Sequence, residues 1–146
     1  LKEKFAEDFG RAFKTKDGRE ELVRAGCYGL GTSRAMGTLV EVSHDERGII
    51  WPGGVAPFQV ELIGLKGQAE KLYEQFLSRG VEVLYDDREE ASAGEKFADA
   101  DLIGLPWRAV VSEKTGDKIE LTSRTEKQVK LVSFEKGIEK LKNHAG

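Results

Sequence analysis

Residues 60–85, with the sequence VELIGLKGQAEKLYEQFLSRGVEVLY, decide the fold class of this chain. The stretches 60–65 and 81–85 are apolar runs typical of buried strands. Between them, apolar residues recur over 67–79 at the spacing of one helix face, and Gly80 stands where a helix commonly ends. That face consists of Ala69, Leu72, Tyr73, Phe76 and Leu77. A strand, a helix and a strand in this order favour a mixed α/β sheet covered by helices.

The segments that follow extend the same pattern. An acidic loop at 86–94 leads to a short predicted helix at 95–102, and a third strand is predicted at 107–111. Weaker strands are predicted at 118–121 and 128–132, and Ser133 then caps a last helix. The fold class is therefore α/β, with a mixed β-sheet flanked by helices.

The first fifty residues predict a smaller antiparallel α+β segment. A short amphipathic helix at 1–9 precedes strands at 12–15 and 21–24, which the Asp17-Gly18 turn joins as a hairpin. A glycine-rich strand at 26–31 then runs into a helix that begins near Thr32 and fades near His44. Residues 48–57 hold several glycines and two prolines, so they are the best linker candidate, and we place the domain boundary between 1–52 and 53–146.

Composition limits the function classes. The chain has 146 residues, 23 Lys and Arg against 26 Asp and Glu, and one cysteine. The net charge of −3 gives no general attraction for phosphate, so any nucleic-acid site must be local. One cysteine excludes a disulfide framework, and His44 and His144 lack the spacing of zinc ligands, so we expect no metal site. No apolar run is long enough to span a membrane, and we expect a cytoplasmic protein with no membrane partner.

The segment Gly29-Leu30-Gly31-Thr32-Ser33-Arg34 suggests a phosphate or nucleotide contact, because glycines let a ligand approach the main chain closely. The third glycine of a dinucleotide-binding motif is absent, so a Rossmann site is improbable. Arg34 in the first helical turn offers a planar fork that suits a nucleoside triphosphate. The alternative is that the glycines only allow tight packing and that Arg34 is a solvated surface charge.

Four ordered segments resemble class II aminoacyl-tRNA synthetases, and in form they are most similar to the prolyl enzymes of the bacterial type. The stretch 26–37, GCYGLGTSRAMG, resembles their third signature motif. The later segments are RGIIWP at 47–52, APFQV at 56–60, and DDR at 86–88 followed by KFADADLIGLP at 96–106. Threonyl and glycyl synthetases share the architecture but resemble the last segment less.

This resemblance implies an enzyme that activates proline with ATP and transfers it to its tRNA. By the motif, Arg34 contacts ATP as the catalytic arginine, Gly29 and Gly31 lie beneath the nucleotide, and Cys27 with Gly29 borders the amino-acid pocket. Mg²⁺ with the ATP and a homodimer of the full enzyme are also implied. Two earlier signature motifs do not occur in these 146 residues. We therefore expect a C-terminal part of the enzyme that is inactive alone and needs no cofactor of its own.

From about residue 53 the resemblance is to an anticodon-binding domain, in which RNA bases stack on aromatic rings and bond to polar side chains. We expect Arg88 and Lys96 to meet phosphate or guanine, and Phe97 to stack. Asp87 and Asp99 would accept hydrogen bonds from guanine, and Arg124 is a weaker candidate. At its predicted position near the start of a helix, the positive charge of Lys96 interacts unfavourably with the helix dipole. A bound ligand would explain a cation there.

Plainer interpretations stay open for several of these residues. The two aspartates of the DDR segment can serve only to form a turn, and Phe97 can belong to the core. Cys27 can be a small buried side chain. The whole chain can also be a free-standing α/β module that binds a nucleotide or a protein and shares the fold but not the ligand.

Overall fold

A computed structural model describes residues 1–65, 69–126 and 128–142 of the chain. The chain divides into two compact units, Leu1–Ala35 and Met36–Gly146, which are described separately below. The predicted helix start at Gly67 and the side chain of His144 fall outside the described residues.

The first unit contains a short helix and a hairpin. Helix α1 spans Lys4–Asp8, and strands β1 (Ala12–Lys14) and β2 (Glu20–Leu22) pair antiparallel, as predicted. The predicted strand at 26–31 is wrong, because these described residues adopt no regular structure. Within the described unit this segment pairs with neither β1 nor β2, and its glycines have no side chains to pack.

Helix α2 spans Thr32–Val42 and crosses the division between the units, which confirms a helix beginning near Thr32. A tight hairpin follows, formed by β3 (His44–Asp45) and β4 (Gly48–Ile49), which pair antiparallel. A 3₁₀ turn at Gly53–Val55 then leads to the main sheet.

The second unit is built on a five-stranded mixed sheet, as the sequence predicts. Its strands are β5 (Val60–Gly64), β6 (Val83–Asp86), β7 (Trp107–Val111), β8 (Lys118–Ser123) and β9 (Val129–Ser133). The order is β6-β5-β7-β8-β9, with β5 parallel to both of its neighbours and the other pairs antiparallel. Strand β6 begins later than predicted, because the Val81 amide donates to the Phe76 carbonyl at the end of the preceding helix.

Helices cover both faces of this sheet. Helices α3 (Glu70–Ser78) and α5 (Phe134–Lys142) contribute to the larger core cluster, and α4 (Ala93–Ile103) contributes to a smaller cluster on the opposite face. The larger cluster includes Val60, Leu62, Phe76, Leu121 and Leu141, all of them nearly inaccessible to solvent. Alternate residues of β5 point to opposite faces, so Glu61 and Ile63 lie on the side of α4.

The predicted linker is fixed along part of its length. Gly48 and Gly104 both have positive φ, and a side chain on Gly48 would collide with the main chain of Asp101 and Leu102. A Cβ on Gly104 would collide with the Ile49 carbonyl. The Trp51 amide donates to the Gly104 carbonyl at 3.1 Å. Residues 48–51 are therefore packed on the end of α4, because glycine permits main-chain contact there.

This contact gives a matched test of stability. Gly104 and Gly80 both follow a helix, with φ of 74° and 75°, but a Cβ on Gly80 would meet no described atom within 4 Å. We expect Gly80→Ala to lower the free energy of unfolding by about 1–2 kcal/mol, the cost of the left-handed conformation. Gly104→Ala should cost a further 1–3 kcal/mol or so, because the hairpin must also move. Urea unfolding of both variants measures the difference, and equal losses would contradict the packing described here.

Candidate functional site

A groove of about 850 Å³ lies where β5 and β6 end and α4 begins. Its polar lining combines cations, carboxylates and one tyrosine hydroxyl: Glu70, Tyr85, Asp87, Arg88, Glu89 and Lys96. The carboxyl ends of neighbouring parallel strands meet at one edge of a sheet, and ligands commonly bind there. The groove therefore brings together three of the predicted site residues, namely Asp87, Arg88 and Lys96.

Arg88 is held at the groove by two carboxylates. Its Nε and Nη2 atoms donate to the two oxygens of Asp86 at 2.9 and 2.8 Å, and Nη2 also lies 2.8 Å from Asp99 Oδ2. The Asp86 side chain is 6% exposed, whereas that of Arg88 is 50% exposed. One edge of the guanidinium is thus fixed while half of the side chain remains available to solvent.

The ionisation of this pair follows from its hydrogen bonds. The side-chain hydrogen bond from Arg88 lowers the pKa of Asp86, although burial opposes the effect. The bonds to Asp86 and Asp99 in turn raise the pKa of Arg88. Both groups are therefore charged at neutral pH, and the guanidinium is oriented before any ligand arrives.

Lys96 has a different environment from the one that the sequence suggests. Its side chain is 4% exposed, and Nζ donates to the carbonyls of Gly64 and Asp86 at 3.3 and 3.2 Å. Nζ also lies 3.6 Å from Asp86 Oδ1. These contacts account for a buried cation in the first turns of α4, so no ligand is needed to explain it.

The start of α4 is fixed by a capping box. The Ser92 side chain accepts from the Glu95 amide at 3.3 Å, and the Glu95 carboxylate accepts from the Ser92 amide at 2.7 Å. The sequence prediction began this helix at Glu95 and missed the cap, which adds about 1 kcal/mol of stability. Ala93 lines the groove, so the positive end of the helix dipole faces it.

Three predicted contact residues do not line the groove. Phe97 is partly buried against the smaller core cluster, with the Arg108 guanidinium 5.0 Å from its ring centre, as the core interpretation predicts, and its stacking on a base stays a prediction. Asp99 contacts Arg88, which does line the groove. Arg124 lies elsewhere, and its side chain is 5% exposed.

Arg124 fixes the β3–β4 hairpin. Its Nη1 and Nη2 atoms donate to the two oxygens of Asp45 at 2.9 and 2.6 Å, which lowers the pKa of Asp45 well below its usual range. Asp45 Oδ1 also accepts from the amides of Arg47 and Gly48 in the hairpin turn. This ion pair joins two positions that are 79 residues apart, so Arg124 has a structural partner, and its contact with RNA stays a prediction.

Sequence reasoning missed Glu61, which lies inside an apolar strand. The residue is 2% exposed, its Oε2 atom has no hydrogen-bond partner among the described residues, and burial raises its pKa to about 7. A single acidic residue in the run VELIG was the available signal. Tyr85 was also missed as a site residue. It lines the groove and stacks on Tyr73 with ring centres 5.3 Å apart.

The residues assigned to ATP and the amino acid lie in the first unit. Arg34 is exposed in the first turn of α2, and Gly29 and Gly31 are exposed as well. A Cβ on Gly29 would meet no described atom within 4 Å, so packing among the described residues does not require glycine there. Cys27 is exposed, which corrects the expectation that it is a buried hydrophobic side chain.

The described residues contain neither a cluster of metal-ligating side chains nor a membrane-spanning helix. No three His, Cys, Asp or Glu side chains there are grouped as metal ligands would be. None of the described helices combines the length and apolar character that crossing a membrane demands.

The residues that line the groove lie within a segment that matches a known protein family. A family model described as an anticodon binding domain matches residues 55–144. The proline–tRNA ligase of Xanthobacter autotrophicus is 44% identical over 95% of this chain, which covers 33% of that protein. That of Aquifex aeolicus is 44% identical over 95% of this chain, which covers 26% of it. The chain thus spans a third or less of these two curated relatives.

A solved structure shows the same fold. The prolyl-tRNA synthetase of Cryptosporidium parvum, complexed with L-proline and AMP, matches with a TM-score of 0.74 and 20% sequence identity. The match covers 99% of this chain and 33% of the solved one.

The buried carboxyl of Glu61 gives a pH-dependent prediction. Its pKa is about 7 in the folded protein against 4.5 ordinarily, so between these pH values the folded state binds more protons than the unfolded state. Rising pH therefore lowers the free energy of unfolding in this window. The side chain at position 61 of the Glu61→Gln variant cannot ionise. We therefore expect the free energy of unfolding of this variant, relative to that of the parent, to increase from pH 4.5 to 7 and to stay constant above pH 7. Urea unfolding at several pH values measures this slope.

Glu120→Gln is the control for this measurement. Glu120 lies on β8 and is only partly buried, so its stability difference from the parent should change little over the same pH range. An equal change in both variants would contradict the assignment to Glu61.

Proposed function

The chain belongs to the anticodon binding domain family, and on this premise we propose that it binds the anticodon loop of a transfer RNA in the groove. The observation that carries the proposal is Arg88, oriented by Asp86 and Asp99 and half exposed beside Asp87. A preoriented guanidinium beside carboxylates suits the donor and acceptor edges of an unstacked base.

Each polar group of the groove has its own role in the proposed binding. Arg88 donates to a base or phosphate, and the exposed carboxylate of Asp87 accepts from a base amino group. The amides at the start of α4 attract a phosphate. Tyr85 offers an aromatic edge to the loop, and the buried Lys96 supports the walls rather than the ligand. The net charge of −3 excludes a generally basic surface, so binding depends on a few positioned side chains.

The identity of the RNA comes from the relatives. Those reported above are proline–tRNA ligases, so we propose tRNA for proline as the partner. Proline codons imply an anticodon ending in two guanines. Guanine combines acceptors for Arg88 with an amino group for Asp87, so the polar lining of the groove suits it.

The activity of the whole protein is proposed by the same route. It attaches proline to its tRNA with ATP, and Mg²⁺ accompanies the nucleotide. The solved structure similar in fold is complexed with L-proline and AMP, which supports assigning Arg34, Gly29 and Gly31 to the nucleotide and Cys27 with Gly29 to the amino acid. We also propose a cytoplasmic homodimer, with domains divided at 52/53.

The first prediction from this proposal concerns RNA affinity. We expect Arg88→Ala to weaken binding to a proline anticodon stem-loop by about 1–3 kcal/mol, the usual contribution of a bidentate base contact. The substitution should also reduce the preference for this stem-loop over a stem-loop in which both guanines are replaced. Arg88→Lys keeps the charge beside Asp86 but loses the planar fork, so it should retain affinity better than it retains preference. Fluorescence anisotropy at several salt concentrations measures both quantities.

Arg79→Ala is the matched control. Arg79 is 46% exposed and makes a bidentate ion pair with Glu135 at 3.0 Å, outside the groove. It should bind the stem-loop like the parent. If Arg88→Ala also did so, or if the parent bound both loops equally, the proposed recognition would be refuted.

A second prediction concerns catalysis. The two earlier signature motifs are absent from these 146 residues, and one of them supplies a second ATP-binding arginine. We therefore expect the isolated chain to show no proline-dependent exchange between ATP and pyrophosphate. Detectable exchange by the purified chain would contradict this.

A further inference from the structure

Strand β9 forms one edge of the five-stranded sheet, and most of its residues are exposed. Among the described residues it pairs only with β8. Four of its five residues are exposed, whereas β6 at the opposite edge has four residues and none of them is exposed. An edge strand presents main-chain N–H and C=O groups with which another strand can pair. The edge at β9 is therefore open to an added strand, and the edge at β6 is not.

Two apolar side chains of β9 lie on the α4 face of the sheet. Val129 and Leu131 are opposite Thr122 and Glu120 of β8, and they are 58% and 54% exposed. Helix α4 packs against β5 and β7 in the smaller core cluster, to which none of the described residues of β9 belongs. The two side chains therefore form a small apolar surface next to the open edge.

The other face of β9 is cationic. Lys130 alternates with the two apolar residues, so its side chain lies on the α5 face. Burial and the nearby charge of Lys130 lower the pKa of Lys140 on α5, so the two ammonium groups are neighbours. Residues 128–142 contain four lysines and two glutamates, and one of these glutamates, Glu135, is paired with Arg79. This edge is therefore locally positive on a chain whose net charge is −3.

The charge of the edge selects the kind of partner. A second copy of the chain would bring the same lysines to the edge, and like charges on neighbouring strands are unfavourable. Lys130 already pairs with Glu126 at 3.3 Å, but these side chains are 44% and 58% exposed, so solvent screens the pair and another carboxylate can approach. A strand with acidic residues on one face and apolar residues on the other matches both faces of β9.

We propose that the edge of β9 is a protein-docking site, at which an extended segment of another protein, with alternating acidic and apolar residues, adds to the sheet. The apolar side chains of this segment cover Val129 and Leu131, and its carboxylates face Lys130 and Lys140. In strand addition of this kind, main-chain hydrogen bonds supply affinity and alternate side chains supply specificity. The site does not depend on the proposed RNA groove, which lies where β5 and β6 end.

The experiment is an NMR titration of the full 146-residue chain with two short synthetic peptides, in which valine alternates with glutamate or with lysine. The main-chain amides of β9 report on the edge, and those of β6 are the internal reference. We expect the glutamate peptide to shift the β9 signals with a dissociation constant of about 0.1–1 mM, because the contact is smaller than a stable interface. Hydrogen exchange of the outward β9 amides should slow when this peptide is bound.

A charge reversal tests the electrostatic part of the proposal. Lys130→Glu should weaken binding of the glutamate peptide about fivefold and strengthen binding of the lysine peptide. Lys71→Glu is the matched control, because Lys71 is exposed on α3, which packs against β6 at the opposite edge. This control should bind both peptides like the parent.

A second variant tests the apolar part. Leu131→Thr keeps a residue that favours strands but removes apolar area, so it should weaken binding of the glutamate peptide about threefold. The unbound variant should keep the β9 amide signals of a paired strand, which shows that the loss comes from binding and not from folding.

Four results would overturn the proposal. The first is no shift in β9 with the glutamate peptide at about 5 mM, well above the expected dissociation constant. The second is equal binding of the glutamate and lysine peptides. The third is undiminished binding of a glutamate peptide with methylated main-chain nitrogens, which cannot donate to the edge. The fourth is a shift of the β9 signals with protein concentration or with stem-loop RNA, which would assign the edge to a second copy or to RNA.

Discussion

The candidate groove depends on the ion pairs of one buried carboxylate, that of Asp86. It lies at the end of β6, where it binds two nitrogens of Arg88 and faces the ammonium group of Lys96. Removing a charge from water is costly unless partners satisfy it, and here a strand end, a loop and a helix supply them. The same contacts that compensate Asp86 therefore hold α4 on the sheet and orient the exposed guanidinium.

A second carboxyl on the same sheet face has the opposite character. Glu61 is even more deeply buried than Asp86, and this burial raises its pKa. The other face, under α3 and α5, carries the larger apolar cluster. One face of the sheet therefore supplies most of the apolar packing, and the α4 face carries a smaller apolar cluster together with buried charged groups next to the groove.

A buried ion pair also fixes the segment before the main sheet. The β3–β4 hairpin and the start of the predicted linker are joined to the rest of the second unit by the ion pair of Asp45 with Arg124 and by main-chain contact at Gly48 and Gly104. The compact unit consequently begins at Met36, inside a helix, whereas the family model begins at residue 55. The predicted domain boundary between residues 52 and 53 refers to the domains of the family and not to the compact units, and it stays a prediction.

The sequence by itself determined the order of strands and helices from residue 60 onward, since apolar periodicity reports directly which side of an element is buried, but it did not predict the β3–β4 hairpin. It also identified Asp87, Arg88 and Lys96 as neighbours of one site. Only the tertiary structure decided the state of each side chain. The pairing of Arg124 with Asp45 and the lack of a partner for Glu61 Oε2 among the described residues depend on residues distant in sequence, because burial and hydrogen bonding are set by what the fold brings into contact.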